Sequence, residues 1–95
     1  MSLNPKRAVS FPLGQVVATP GVLATLDPSE MLLSLARHAC GDWGELDPED
    51  IQENELSLAQ GFRLLSAYRS RKGVKFWIIT EADRSVTTLL LPEEY

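Results

Sequence analysis

Arg37-His38-Ala39-Cys40-Gly41-Asp42-Trp43-Gly44-Glu45-Leu46-Asp47-Pro48-Glu49-Asp50 gathers the chain's single histidine and single cysteine with five carboxylates. Imidazole, thiolate and carboxylate are the groups that ligate metals and carry nucleophilic or acid–base chemistry. A tetrahedral zinc shell takes about four donors and usually draws on cysteine pairs, so this cluster would have to recruit Asp47, Asp50 or a second copy of the chain. No metal is expected here. A Cys40 nucleophile needs a base within hydrogen-bond reach and an electropositive setting, whereas the acids around it would raise the thiol pKa. His38, two positions away, would point to another side of a helix. The stretch reads instead as a corner between two helices. The helix dipole favours His38 in the last turn, Cys40 is a small apolar filler, Gly41 reverses the chain and Trp43 plugs the junction. The sequence holds no glycine-rich phosphate cradle, serine-centred elbow or paired-histidine motif, and no cofactor is expected.

A second set of residues also has chemical potential: His38 with Arg63, Thr80, Arg84 and Thr87. In layout these resemble small metal-independent ribonucleases and the bacterial toxins similar to them, which pair a helical N-terminal part with an antiparallel sheet. The resemblance implies His38 moving the proton of a 2′-hydroxyl, Arg63 and Arg84 stabilising charge on the phosphate, and Thr87 supplying a hydroxyl. The competing reading makes the arginines solvated sheet-edge charges and the threonines ordinary strand residues. An acidic chain also binds phosphates poorly through general electrostatics. Replacing His38 by Ala should abolish a ribonuclease while leaving the fold largely intact; an interaction module should tolerate the change.

The elements that must position these groups follow from punctuation and period. Residues 1–13, with Pro5 and Pro12, read as an extended arm with partial disorder, ahead of one α+β domain over 14–95. Gln15 to Ala18 is a short strand, and Thr19-Pro20 opens a brief helix through Leu26. Asp27-Pro28-Ser29-Glu30 is a capping box that begins a helix whose apolar face is Met31, Leu32, Leu35, Ala36 and Ala39, with Gly41 as terminator. Asp47-Pro48-Glu49-Asp50 repeats that grammar. The second helix runs to Gly61 with a narrow stripe of Ile51, Leu58 and Ala59, while Glu53, Asn54 and Glu55 face mostly outward. Beyond Gly61 the period becomes that of strands: 62–69 and 74–80 form a hairpin, and 85–91 forms a further strand. Tyr68, Phe76, Trp77 and Ile79 anchor the core or the sheet's outer face. The expected fold is α+β, with two main helices on one face of a three- to four-stranded antiparallel meander.

Composition sets the remaining bounds. With 95 residues, 44% of them hydrophobic, the chain suits one core, and its apolar runs are far shorter than the roughly 20 residues of a membrane span. The N-terminus lacks a secretory h-region and one cysteine makes no internal disulfide, so the chain reads as cytoplasmic without a membrane partner. A net charge of −4 argues against non-specific nucleic-acid binding. Charge is uneven along the chain: Asp42 to Glu55 holds seven acids and no base, and Arg63 to Lys75 five bases and no acid. The acids read as a solvated helix face or as a partner surface at Glu49, Glu53 and Glu55.

Gly41-Asp42-Trp43-Gly44, Leu65-Ser66-Ala67-Tyr68, the run from Trp77 to Ser85, and Leu91 to Tyr95 resemble an uncharacterised family of small bacterial plasmid-related proteins. That resemblance spans roughly 11–95, implies a mobile-element setting and carries no catalytic residues. The sequence therefore points first to an accessory or interaction protein, acting on an unknown protein partner or on itself. A ribonuclease-like protein is the alternative, and a nucleic-acid mimic built on the acid row is the third reading.

Overall fold

A computed structural model describes residues 9–95. Four strands and three α-helices follow in the order β1 (Gln15–Ala18), α1 (Pro20–Thr25), α2 (Pro28–Ala39), α3 (Pro48–Gln60), β2 (Leu64–Arg69), β3 (Lys75–Thr80) and β4 (Val86–Leu90), closed by a 3-10 turn at Pro92–Glu94. Each long helix starts as its sequence dictates. Asp27 accepts from the Glu30 N–H at 3.0 Å, with Glu30 completing the capping box, and Asp47 accepts from the Asp50 N–H at 3.0 Å. Gly61, at φ 80°, ends α3 in the left-handed conformation glycine adopts without strain.

The sheet is mixed, in the order β1-β4-β3-β2. Strands β2, β3 and β4 form the expected antiparallel meander, but β1 lies parallel to β4, Val16 beside Thr87 and Val17 beside Thr88. Only the meander part of the antiparallel expectation therefore stands. The physical reason is connectivity: the chain leaves β1 through all three helices before it returns, and so long a crossover allows a parallel neighbour.

The inner face of the sheet is covered by α1 and α2. Val22, Leu26 and Leu35 meet Tyr68, Phe76, Ile78 and Leu89, with Met31 at their edge. On α2 the buried positions are Ser34, Leu35, His38 and Ala39, whereas Leu32 is 69% exposed. Helix α3 does not share that face equally. Leu58 packs on the Phe11, Trp43 and Leu64 cluster, and α3 otherwise lies along the free edge of β2. Phe11, within the stretch expected to be an arm, is a core residue. The first eight residues of that stretch lie outside the described residues.

The outer edge of β2 is closed by two devices. Asn54, expected to face outward, is buried: its amide Nδ2 donates to the Leu65 carbonyl and its Oδ1 accepts from the Leu65 N–H at 3.1 Å. One side chain thus supplies the donor and acceptor that a neighbouring strand would supply. Beside it the Ala67 N–H donates to the Trp43 carbonyl at 3.1 Å, and the Glu45 N–H donates to the Ala67 carbonyl at 2.6 Å. The chain approaches there at Gly44, φ 76°, where a Cβ would collide with the Ala67 carbonyl. An edge strand left bare is a template for unwanted pairing, which is the physical reason to cover it.

Candidate functional site

His38 sits at the last turn of α2 with no exposed surface, and both ring nitrogens are engaged. Nδ1 lies 2.5 Å from the Ser66 hydroxyl and Nε2 2.9 Å from the Thr80 hydroxyl. Thr80 is in turn 2.7 Å from the Thr87 hydroxyl, and Thr87 donates to the Leu13 carbonyl at 2.7 Å. A carbonyl only accepts, so the proton directions from Leu13 back to His38 Nε2 are fixed, and a neutral ring fixes the last one. Thr87 gives its proton to Leu13, Thr80 gives its own to Thr87, His38 gives Nε2–H to Thr80, and Ser66 gives its proton to Nδ1. The opposite tautomer would leave no proton between the two threonine oxygens. The line thus requires a proton on Nε2, and in the neutral ring that burial favours, Nδ1 accepts from Ser66.

The strands make this line-up by register. Ser66 in β2, Thr80 in β3 and Thr87 in β4 all point to the helix-covered face, with Thr80 directly opposite Thr87. Phe11 and Trp43 close the remaining sides, their rings 5.2 Å and 5.7 Å from the imidazole and both edge-on to it. Burial, reinforced by the positive charge of Arg84, pushes the His38 pKa from 6.5 to about 3. The helix dipole was expected to favour a charged His38; desolvation outweighs it.

Of the residues singled out from sequence, His38 and Thr87 come together through Thr80. Arg84 is nearby in another role. It sits at φ 62° in the β3–β4 turn, its Nη1 donating to the carbonyls of Phe62 at 2.7 Å, Glu81 at 3.1 Å and Ala82 at 3.2 Å, and its Cζ lies 5.7 Å from the Phe11 ring. Arg63 lies apart on the surface, donating to Glu81 at 3.0 Å and to the Tyr95 hydroxyl at 2.9 Å. Sequence reasoning missed Ser66 and the Leu13 carbonyl. The available signal was a lone serine at an inward position of an apolar strand, flanked by Leu64 and Tyr68. A buried hydroxyl there needs a partner, and the chain's only imidazole is the residue that supplies one.

Trp43 plugs the corner, 3% exposed, with its indole N–H donating to Glu55 at 2.8 Å. The Tyr68 hydroxyl donates to the Asp42 carbonyl at 2.6 Å, and burial drives its pKa upward. Among the described residues no group of three or more His, Cys, Asp or Glu side chains is placed to hold a metal ion.

Four arginines are held in ion pairs, of which only Arg69–Glu45 joins the acidic stretch to the basic one. Arg37 bonds Asp42 at 2.7 Å, Arg69 bonds Glu45 at 2.9 Å, Arg71 bonds Asp27 at 3.1 Å and Arg63 bonds Glu81 at 3.0 Å. Glu30, Asp47, Asp83 and Glu94 accept from backbone N–H groups. Glu49, Asp50 and Glu53 remain on α3 with no side-chain partner among the described residues. Asp50 and Glu53 border a cleft of about 360 Å³ whose walls include Leu46, Leu65, Trp77 and Arg63.

Compared with known proteins, the chain matches no protein-family model, and no curated protein and no solved structure matches it. No helix among the described residues is long and apolar enough to cross a membrane.

Proposed function

We propose that the chain is a small interaction domain, without catalysis of its own, that engages a positively charged segment of a partner protein through α3. The observation that carries this reading is the unpaired acid set. Nearly every other carboxylate has a structural partner, yet Glu49, Asp50 and Glu53 stand exposed along one helix, two of them beside an aromatic-walled cleft. Trp77 and the aliphatic walls suit the methylene stem of a lysine or arginine, and the carboxylates suit its head group. Glu55, part of the acid row read from sequence, is engaged by Trp43, so the available row is Glu49, Asp50 and Glu53.

A twelve-residue Lys/Arg-rich peptide titrated into the labelled protein tests this. The Trp77 indole N–H signal should shift with wild type and stay unmoved in Glu49→Gln/Asp50→Asn/Glu53→Gln. Equal binding to both proteins, or to neither, would overturn the reading. Its extension, an accessory role in the cytoplasm on a bacterial mobile element, rests on the text resemblance from Trp77 to Ser85 and stands with it. Self-association and nucleic-acid mimicry use the same acid row and would appear in the same titration as a concentration-dependent shift without peptide, or as competition by a DNA-binding protein.

The ribonuclease reading has one observation in its favour, the hydrogen bond of His38 to Thr80, which in turn bonds Thr87. It is weakened because a general base must reach the proton it removes, and His38 is sealed from solvent. Induced expression of wild type and Arg63→Gln, with total RNA examined for cleavage, tests it without disturbing the core. New cleavage products lost in Arg63→Gln would restore that reading.

A further inference from the structure

We infer that the cleft between α2 and the β2–β3 hairpin binds a compact small molecule carrying an oxyanion, a phosphate or a carboxylate. The inference is independent of the α3 surface. The cleft measures about 220 Å³ and is lined by Arg37, Arg69 and Arg71, with Ser70, Tyr68 and Phe76 among its walls.

Each guanidinium is held by a carboxylate that does not line the cleft, and each keeps an unused N–H. Arg37 bonds Asp42 through Nε and Nη2, leaving Nη1. Arg69 bonds Glu45 through Nε and the Gly73 carbonyl through Nη1, leaving Nη2. Arg71 bonds Asp27 through Nη1 and Ser29 through Nη2, leaving Nε. The carboxylates orient the forks without exhausting them.

Ser70 adds an independent sign. It is only 8% exposed, its oxygen accepts from the Val74 N–H at 3.1 Å, and its own proton has no acceptor among the described residues. A buried donor without an acceptor is uncommon in a folded protein. The one carboxylate that does line the cleft, Glu30, already accepts from the Arg71 N–H at 2.6 Å and the Asp27 N–H at 3.4 Å. Donors therefore outnumber free acceptors. A ligand that only accepts satisfies that imbalance, and an oxyanion accepts several such bonds with charge assistance. Arg37 stacks over the Tyr68 ring at 4.6 Å, which holds its plane in place and leaves aromatic surface for an organic body. The volume is below the roughly 300–1,000 Å³ of drug-sized pockets, so the ligand is compact and not a polymer.

The test is a titration of the full ¹⁵N-labelled chain at constant ionic strength with phenyl phosphate, benzoate and inorganic phosphate, and with phenol as the uncharged control. The amides of Ser70 and Arg71 and the Nε–H signals of the three arginines should move saturably with at least one anion and remain still with phenol. The anion that binds tighter identifies the phosphate or the carboxylate class. Arg69→Gln, a half-exposed position, should weaken binding about tenfold, the loss of one charge-assisted hydrogen bond. No saturable movement with any anion, movement confined to Lys72 and Lys75, or unchanged affinity in Arg69→Gln would overturn the inference.

Discussion

Replacing His38 by Ala should come close to unfolding the domain. The substitution removes an imbalanced share of the core: an imidazole with no exposed surface and the middle of the line from Ser66 to Leu13. Ser66 loses its acceptor and Thr80 loses its donor. A buried polar group left without its partner costs about 1–3 kcal/mol, and truncating a large core side chain to Ala about 2–5 kcal/mol. These losses overlap, because the cavity and the orphaned hydroxyls share one space, so roughly 3–6 kcal/mol is the expected total. Domains of this size are stable by only about 5–15 kcal/mol. The assay is urea unfolding followed by circular dichroism, with the slope of the transition compared between proteins so that a shifted midpoint can be read as stability. Thr80→Val gives a milder version, near 1–3 kcal/mol, and combining it with His38→Ala should cost less than the sum of the two. A His38→Ala protein within about 1 kcal/mol of wild type would refute the claim that the histidine is a structural keystone. The sequence alone suggested the reverse, that the fold would survive this change largely intact.

Three further outcomes follow from the same geometry. Because the folded-state pKa of His38 is about 3 against 6.5 unfolded, the unfolded chain binds the extra proton first as pH falls; stability should be full above pH 6.5 and decline below it. Between pH 6.5 and about 4.5 the loss should reach about 2 kcal/mol, before the lowered carboxylates of Asp27, Asp83 and Glu94 add their own decline, and His38→Gln should lack it. Asn54→Ala should destabilise by about 2–3 kcal/mol and increase aggregation measured by light scattering, since Leu65 loses both edge partners. Gly44→Ala should cost about 2 kcal/mol or more in the same urea assay, because a Cβ at φ 76° meets the Ala67 carbonyl.

Much of the architecture was legible because it is written locally. Asp27-Pro28 and Asp47-Pro48 announce helix starts through capping chemistry, and the change of period after Gly61 announces strands. The placement of β1 was not legible, since nothing in Gln15 to Ala18 distinguishes a parallel neighbour from an antiparallel one. Asn54 was misread for a related reason. A polar residue on a helix ordinarily faces water, and only the bare edge of β2, a tertiary feature, makes its amide more useful buried. At the site, sequence grouped His38, Thr80 and Thr87 for a chemical role; what it could not supply was burial, and burial turns the same three side chains into a dry hydrogen-bonded brace. Arg63 and Arg84 were grouped with them by type, but Arg63 pairs with Glu81 at the surface and Arg84 ties carbonyls of the β3–β4 turn to the start of β2.

A single experiment reads the state of His38: the imidazole ¹⁵N and ¹H signals of the labelled protein followed from about pH 7.5 to 4.5, a range that brackets the ordinary histidine pKa near 6.5. The geometry predicts a neutral ring carrying its proton on Nε2, slow to exchange with water and unchanged across that range. A midpoint near 6.5 with a rapidly exchanging ring proton would contradict it, and would place a titrating, solvent-reached histidine where the structure has a sealed one.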